Sequence, residues 1–280
     1  MRTTTATLVK GAALAAIAAL ALTGCAGGAE PEAGAGDSGL PVVNAGTLTV
    51  CISKNAYEPM YWNEGGTLTG FDVDAITAIA EELDLDVAFS EMAFDGLLPA
   101  LTSGRCDVLR SGLYVNDERE AAADAIPYLE TGPALVTRSG NPAGLGEPDD
   151  LAGLRVAVQS ASANEQILRD LSEDLQSRGM EGIQVSSYPE LPETIAALTN
   201  DRVDATMETD VAAIQAAETL GDGYEVVELF PAQTKFGMFL QKDSPLTERV
   251  HDIAVQLTED GTFESMAERY GLLPSRIVTP

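Results

Sequence analysis

Short apolar runs rich in β-branched residues alternate along the chain with segments in which apolar residues recur every three or four positions. The first pattern predicts strands, and the second predicts amphipathic helices. The predicted strands are 47–52, 87–90, 107–113, 155–159, 184–188, 203–208 and 234–241. The predicted helices are 71–85, one capped by Asp95 and ended by Gly104, a short one from Asn116 to Ala123, one opened by a capping box at 162–165, 190–199, 210–220, and two that begin at Ser244 and Thr262.

The order of strand and helix restarts at residue 155. Strands that alternate with helices favour parallel pairing, because the intervening helix carries the chain back to the starting edge of the sheet. Two such series in one chain indicate two α/β lobes. We therefore expect each lobe to contain a mostly parallel sheet.

The first 25 residues have the pattern of an export signal. Arg2 and Lys10 precede a short apolar stretch that is rich in Ala and Leu. Such a stretch is typical of a signal peptide and is too short to cross a bilayer as a helix. It ends in Leu22-Thr23-Gly24-Cys25, which resembles the lipobox of bacterial lipoproteins. The resemblance implies a signal peptide at 1–24 and a lipid on the thiol of Cys25. The mature protein is then expected outside the cytoplasm, anchored to the cell membrane by lipidated Cys25.

The composition of the chain excludes several classes of partner and cofactor. The chain of 280 residues carries 44 acidic and 16 basic side chains, a formal charge of −28, which excludes nucleic acid as a partner. Residues 25–45 are rich in Ala, Gly and Pro without periodicity and are predicted to form a flexible tether. The single His251 and the three cysteines have no zinc-site spacing, so we expect no metal and no cofactor. His251 lies off the apolar stripe of its helix and is expected to be solvated.

Several short motifs occur in a fixed order over most of the chain. They are Tyr57-Glu58-Pro59-Met60, Gly70-Phe71-Asp72-Val73-Asp74, Phe94-Asp95-Gly96-Leu97-Leu98-Pro99-Ala100-Leu101, Ser103-Gly104-Arg105-Cys106-Asp107-Val108, Glu118-Arg119, Pro127-Tyr128, Asp150-Leu151-Ala152-Gly153, Arg202-Val203-Asp204-Ala205, Asp260-Gly261-Thr262 and Tyr270-Gly271. With these motifs, residues 46–271 resemble a family 3 extracellular solute-binding protein, the receptor of polar amino-acid ABC importers.

The resemblance implies a two-lobe, type II periplasmic-binding-protein-like fold. In that fold two crossing strands join the lobes, and the ligand lies in the cleft between them. The implied first lobe is 46–131 together with 236–280, and the second lobe is 132–235. Open α/β sheets bind ligands beyond the carboxyl ends of their strands, which agrees with a cleft between two such sheets.

Arg119 is the first candidate ligand residue. The family's arginine at this place holds the ligand's α-carboxylate, and a planar guanidinium suits such a two-pronged contact. The alternative is a surface arginine paired with Glu118 or Glu120. Lys54 is a second cationic candidate, either in contact with an anionic group of the ligand or free in solvent.

The resemblance also implies the walls of the cleft. Ser111, Gly112 and Tyr114 end the strand before Arg119, where backbone groups are expected to meet the same carboxylate. Tyr57 and Phe94 match aromatic or apolar walls that would hold the stem of the ligand. For Phe94, a place in the core is an equal alternative.

The second lobe departs from the family pattern. A turn that normally supplies two hydroxyls keeps only Ser162, because Ala163 follows it. Thr209 stands where the family places an aspartate for the ligand's ammonium group. Glu208 and Asp210 flank it, but alternation along a strand points Glu208 the opposite way from Thr209, and Asp210 can serve as a helix cap. A free α-amino acid is therefore not assured, and we expect a modified or N-substituted amino acid, or another small zwitterion, to bind more tightly.

Cys51 and Cys106 remain once Cys25 carries a lipid. They lie on the first and third predicted strands, which are neighbours in this fold. In an exported protein such a pair is a candidate disulfide, and two buried free thiols are the alternative.

Three classes of function fit these observations. The first is a monomeric transport receptor that binds an amino-acid-like solute and delivers it to an ABC transporter permease, with no catalytic residues. The second is an enzyme on the same scaffold, similar to cyclohexadienyl dehydratases, for which Glu208 is the candidate acid. The third is a ligand-sensing receptor domain, although no signalling domain follows residue 280. The lipobox followed by one binding module favours the receptor.

Overall fold

The computed structural model describes residues 39–230 and 234–280. The predicted signal peptide, the lipidation site at Cys25 and the tether as far as residue 38 lie outside the described residues.

Within the described ranges the chain alternates strands and helices. The strands are β1 (Thr47–Ser53), β2 (Trp62–Glu64), β3 (Thr67–Thr69), β4 (Asp86–Met92), β5 (Val108–Tyr114), β6 (Ala123–Thr131), β7 (Pro133–Arg138), β8 (Arg155–Gln159), β9 (Gln184–Tyr188), β10 (Ala205–Thr209), β11 (Tyr224–Val227) and β12 (Thr234–Gln241). The α-helices are α1 (Phe71–Glu82), α2 (Leu97–Thr102), α3 (Asp117–Ala122), α4 (Ala163–Ser177), α5 (Leu191–Thr199), α6 (Asp210–Leu220), α7 (Leu246–Glu259) and α8 (Thr262–Arg269). None of these helices combines the length and apolar character that a bilayer span requires.

The first sheet has the strand order β4-β1-β5-β12-β6. Strand β1 runs parallel to β4 and β5, whereas β12 runs antiparallel to both of its neighbours. Helix α1 buries the predicted face of Ile76, Ile79, Ala80 and Leu83 in a core that it shares with β1 and α7. The apolar stripe read from the sequence is therefore the face that packs.

The second sheet has the order β11-β7-β10-β8-β9. Strand β8 pairs in parallel with β9 and β10, whereas β7 runs antiparallel to β10 and β11. The expectation of mostly parallel sheets is wrong, because half of the pairings in each sheet are antiparallel. The antiparallel pairs all involve β12 or β7, strands without a helical crossover of the βαβ type.

The two-lobe α/β architecture is confirmed, with one sheet in each lobe. The chain passes from the first sheet to the second between β6 and β7, and it returns to the first sheet at β12. The sequence pattern did not predict β2, β3, β6, β7 or β11.

One predicted helix cap is wrong. Asp95 lies inside a single 3-10 turn, Phe94–Gly96, and α2 begins after Gly96 without a side-chain cap. The cap at Asn116 is present, since its Oδ1 accepts a hydrogen bond from the backbone N–H of Arg119 at 2.9 Å. Ser162 likewise accepts from Glu165 N at 3.1 Å.

Cys51 and Cys106 are joined by a disulfide, with their Cα atoms 5.7 Å apart. Cys51 lies on β1, whereas Cys106 lies just before β5 rather than on it. Both are buried beside Leu97, Leu101 and Leu109. The bridge therefore connects two segments that are far apart in sequence within the first sheet.

Candidate ligand-binding site

A cleft lies where the carboxyl ends of β1, β5, β8 and β10 meet. Its free space is about 550 Å³ including the open mouth. The first lobe contributes Ser53, Asn55, Ala56, Tyr57, Tyr61, Phe94, Ser111, Gly112, Leu113, Tyr114 and Arg119, and the second contributes Gln159, Ser162, Ala163, Asn164, Leu191, Glu208, Thr209 and Ala212. Nine of the residues proposed from the sequence are therefore brought together: Tyr57, Phe94, Ser111, Gly112, Tyr114, Arg119, Ser162, Glu208 and Thr209.

Arg119 is a buried cation at this cleft. Its residue is 6% exposed, and its Nη1 donates to the carbonyl of Tyr114 at 2.7 Å. No carboxylate within the described residues pairs with it, so it is not a surface arginine bonded to Glu118 or Glu120. Burial lowers the pKa of Arg119 to about 10, which leaves it positively charged at neutral pH. A buried charge without a counter-ion is costly, and the cleft is where an anion can reach it.

Tyr57 crosses the cleft. Its hydroxyl forms a hydrogen bond with Oγ1 of Thr209, which joins the two lobes. Its ring lies against the backbone of Gly112, where a Cβ atom would come within 2.4 Å of the ring. Gly112 also has a φ of 61°, so a side chain there is disfavoured on two counts. The glycine therefore fixes how close Tyr57 approaches the strand end.

The floor of the cleft is a chain of hydroxyl groups. Ser111 Oγ donates to the hydroxyl of Tyr61 at 2.8 Å and accepts from the backbone N–H of Ser53 at 3.0 Å. Burial raises the pKa of Tyr61, so its hydroxyl stays protonated. The side chain of Ser111 is therefore occupied within the first lobe.

The second lobe presents Glu208 and Thr209. Thr209 is the N-cap of α6, because its Oγ1 accepts from Ala212 N at 3.1 Å. Glu208 is 5% exposed, and burial raises its pKa to about 8. Both residues line the cleft. The predicted alternation holds, since Glu208 contacts Thr206 two residues earlier on the same face of β10, whereas Thr209 contacts Tyr57. Both lie at the end of β10, where the chain turns into α6, so residues from either face of the strand reach the cleft.

Two proposed ligand residues do not line the cleft. Lys54 makes an ion pair with Glu190 at 2.7 Å, and its side chain is 51% exposed. Asp210 is buried, accepts from Thr131 Oγ1 at 2.5 Å and pairs with Arg276. Asp210 is also not the helix cap, because Thr209 takes that position.

The sequence reasoning did not single out Asn164, Gln159 or Tyr61. Asn164 is 4% exposed, and its Oδ1 makes no hydrogen bond within the described part of the chain. The hydroxyl of Tyr114 is likewise buried without a hydrogen bond within the described part of the chain. No periodicity distinguishes such residues, because Asn164 lies inside the first turn of α4 behind its cap. These unpaired polar atoms suit a polar ligand or water.

No cluster of three or more His, Cys, Asp or Glu side chains in residues 39–230 and 234–280 has an arrangement that could hold a metal ion.

The chain matches known proteins over most of its length. Residues 48–272 match the family described as bacterial extracellular solute-binding proteins, family 3. The L-cystine-binding protein TcyJ of Escherichia coli K12 is 28% identical over 239 residues, which cover 84% of this chain and 86% of TcyJ.

Solved structures show the same fold. An ancestral arginine-binding protein bound to arginine superimposes with a TM-score of 0.73 at 31% identity, covering 80% of this chain and 98% of that protein. An ancestral amino acid-binding protein, described as a precursor of cyclohexadienyl dehydratase, gives a TM-score of 0.71 at 26% identity, with coverages of 80% and 95%.

Proposed function

Because the chain belongs to family 3 of the bacterial extracellular solute-binding proteins, we propose that it is the lipid-anchored substrate-binding protein of an ABC importer. It captures a small amino-acid-like zwitterion in the cleft and delivers it to a membrane permease. The lipobox ending in Cys25 supports the anchor, and relatives that bind amino acids support the class of ligand.

The buried, unpaired guanidinium of Arg119 carries this proposal. It lies 2.7 Å from a backbone carbonyl that fixes its direction, and it has no carboxylate partner among the described residues. The α-carboxylate of a ligand supplies the missing anion, and charge-assisted bonds of this kind are about twice as strong as neutral ones.

Each of the two proposed lobes is built around one of the two sheets. The lobe boundaries are 46–131 with 236–280 for the first lobe, and 132–235 for the second. They are supported by the strand order, since β1, β4, β5, β6 and β12 build one sheet and β7 to β11 build the other. Ligand contacts in this proposal come from Arg119, Tyr57, Phe94, the ends of β5 and β10, and Ser162. Lys54 and Asp210 are left out because both are already paired.

The enzyme alternative rests on Glu208, a buried acid with a raised pKa at the cleft. One structural relative is described as a precursor of a dehydratase, yet the relatives named above are binding proteins. The enzyme is therefore not favoured. Incubation with prephenate or arogenate should yield no product.

The test is a thermal-shift screen of amino acids, opines, betaines and other compatible solutes, followed by calorimetry with Arg119→Ala. Losing one partner of a buried charge pair costs roughly 2–5 kcal/mol, which is at least about a thirtyfold loss of affinity. The control is Arg105→Ala, which removes an exposed arginine from the same lobe and should bind like the wild type. Affinity of Arg119→Ala within threefold of the wild type would overturn the proposal.

A further inference from the structure

Glu208 is a buried carboxyl group that no cation neutralises within the described residues. Its Oε1 lies 2.6 Å from Thr194 Oγ1 and 3.3 Å from Thr206 Oγ1. Its second oxygen has no hydrogen-bond partner in the described ranges of the chain. Among the residues that line the cleft, Glu208 is the one carboxyl group.

The hydrogen-bond donors to Glu208 are the hydroxyl groups of Thr194 and Thr206. Thr194 Oγ1 is also 2.8 Å from the carbonyl of Leu191, which can only accept a hydrogen bond. A hydroxyl has a single proton to donate. Thr194 therefore shares one proton between Leu191 and Glu208 and cannot satisfy both acceptors at once. The burial of Glu208 without a neighbouring cation among the described residues favours a neutral carboxyl group in the empty cleft, and it outweighs the hydrogen bonds from Thr194 and Thr206, which favour the ionised form.

The neighbouring side chains that could accept a hydrogen bond from a cationic group of the ligand already have partners within the protein. Thr209 Oγ1 bonds to Ala212 N and to Tyr57, and Asp210 is paired with Arg276. A zwitterion held by Arg119 brings a cationic nitrogen into the same cleft, and such a nitrogen needs an acceptor.

We propose that Glu208 receives the cationic nitrogen of the ligand and releases its own proton to the solvent as the ligand binds. This inference rests on the proposed function, because it takes a zwitterion as the ligand. It places the acidic group one residue before Thr209, and it narrows the ligand class to molecules with a positively charged nitrogen. An Nα-acylated amino acid with a neutral side chain has no such charge and is excluded.

The proton balance gives a sign for the pH dependence. Burial raises the pKa of Glu208 to about 8, so the empty cleft holds the proton at pH 5.5–7.5. The bound cation favours the ionised form, so one proton leaves for each ligand that binds. Affinity should therefore fall as the pH falls, by up to about tenfold for each pH unit.

The other charged and titratable groups around Glu208 do not share this dependence. Burial raises the pKa of Tyr57 and of Tyr114 well above the ordinary value, and Arg119 stays charged with a pKa of about 10. At the N-cap of α5, the Lys54 ammonium lowers the pKa of Glu190. On α6, Asp210 is held by Arg276 and Thr131.

The experiment begins with the standard L-amino acids and their N-acetyl derivatives as probes, titrated by calorimetry at pH 7.5. The tightest L-amino acid whose side chain does not titrate in this range is then measured at pH 6.5 in phosphate and in Tris, which differ in ionisation enthalpy. The wild type should release close to one proton per ligand and lose affinity from pH 7.5 to 5.5. Glu208→Gln should release none and show a flat profile. Glu228→Gln removes an exposed acid from the same lobe and should behave as the wild type.

Each outcome decides the matter. No proton release by the wild type, release that persists in Glu208→Gln, or tighter binding of an N-acetyl derivative with a neutral side chain would overturn the role of Glu208. If the variant does not fold, the proton count and pH profile of the wild type still decide. Unchanged affinity of Arg119→Ala with normal proton release would overturn the carboxylate contact and leave Glu208 in place. If the wild type binds neither these probes nor any opine, betaine or other zwitterion of the thermal-shift screen, the ligand class is wrong and both proposals fall.

Discussion

Lys54 Nζ lies 2.7 Å from Glu190 Oε1, and this ion pair connects the two lobes at the edge of the cleft. Asn55 also donates a hydrogen bond to Glu190, so one carboxylate on the second lobe holds two neighbouring residues of the first. The pair makes no contact with the interior of the cleft. Its effect is therefore on closure rather than on ligand contact.

We expect Lys54→Ala to shift the empty protein toward an open form, measured as a larger radius of gyration by small-angle X-ray scattering. The shift should shrink at high salt, because the pair is partly exposed and is screened. The control is Lys242→Ala, which breaks a similar pair with Asp124 within the first lobe. Equal scattering from the wild type and Lys54→Ala would contradict this interpretation.

Gly112→Ala should destabilise the protein and weaken ligand binding. A β-carbon there meets the ring of Tyr57 at 2.4 Å, and the positive φ alone costs about 1–2 kcal/mol. Gly65→Ala is a matched control, because Gly65 has the same φ of 61° but nothing within 4 Å of an added Cβ. Urea unfolding measures both variants. If Gly112→Ala lowers the free energy of unfolding no more than Gly65→Ala does, the contact with Tyr57 is unimportant for stability.

Removal of the Cys51–Cys106 bridge should lower the free energy of unfolding by about 4 kcal/mol in the chain-entropy model, since the two cysteines are 55 residues apart. The measurement compares urea unfolding of the wild type with that of the Cys51→Ser, Cys106→Ser double variant. Thiol counting in denaturant without reductant should find neither cysteine free in protein from an oxidising compartment. Two reactive thiols would contradict the bridge.

The empty protein should become less stable as the pH rises from 5 to 8. Glu208 binds its proton more tightly when folded, with a pKa of about 8 against 4.5 as the ordinary value, so folding is favoured while that proton is bound. The stability is lost as the pH rises through this interval, by at most about 1.4 kcal/mol per pH unit. Comparing the pH dependence of urea unfolding of the wild type with that of Glu208→Gln isolates the contribution of Glu208. Parallel curves for the two proteins would contradict it.

Protein extracted from membranes should begin at Cys25 and carry a lipid. The expectation follows from the Leu22-Thr23-Gly24-Cys25 motif after a short apolar stretch. Intact mass spectrometry measures it, and Cys25→Ser should abolish both the lipid mass and the membrane fraction. An unmodified N-terminus at another residue would refute the anchor.

Local features of the fold could be read from the sequence, whereas contacts between distant segments could not. The cap at Asn116 and the face of α1 depend on residues a few positions apart, and both patterns are present in the structure. Strand β6 mixes polar, apolar and proline residues, and only its pairing with β12 makes it a strand.

The same distinction applies to the candidate site. Arg119 stands in a recognisable motif, so its place at the cleft could be predicted. The partner of Lys54 is Glu190, 136 positions away in the chain, and nothing near Lys54 indicates it. Alternation correctly set Glu208 and Thr209 on opposite faces of β10, but it could not show that both faces reach the cleft at the end of the strand.

The position of β12 between β5 and β6 has a consequence for folding. The strand that completes the middle of the first sheet begins at residue 234, more than 100 residues after both of its partners. A growing chain that has not reached β12 leaves β5 and β6 with unpaired edges, which are templates for aggregation. Such long-range pairing also slows folding, because a large loop must close before the contact forms. The sheet of the first lobe can therefore be completed only after the whole of the second lobe has been synthesised. A chaperone that shields strand edges would act during that interval.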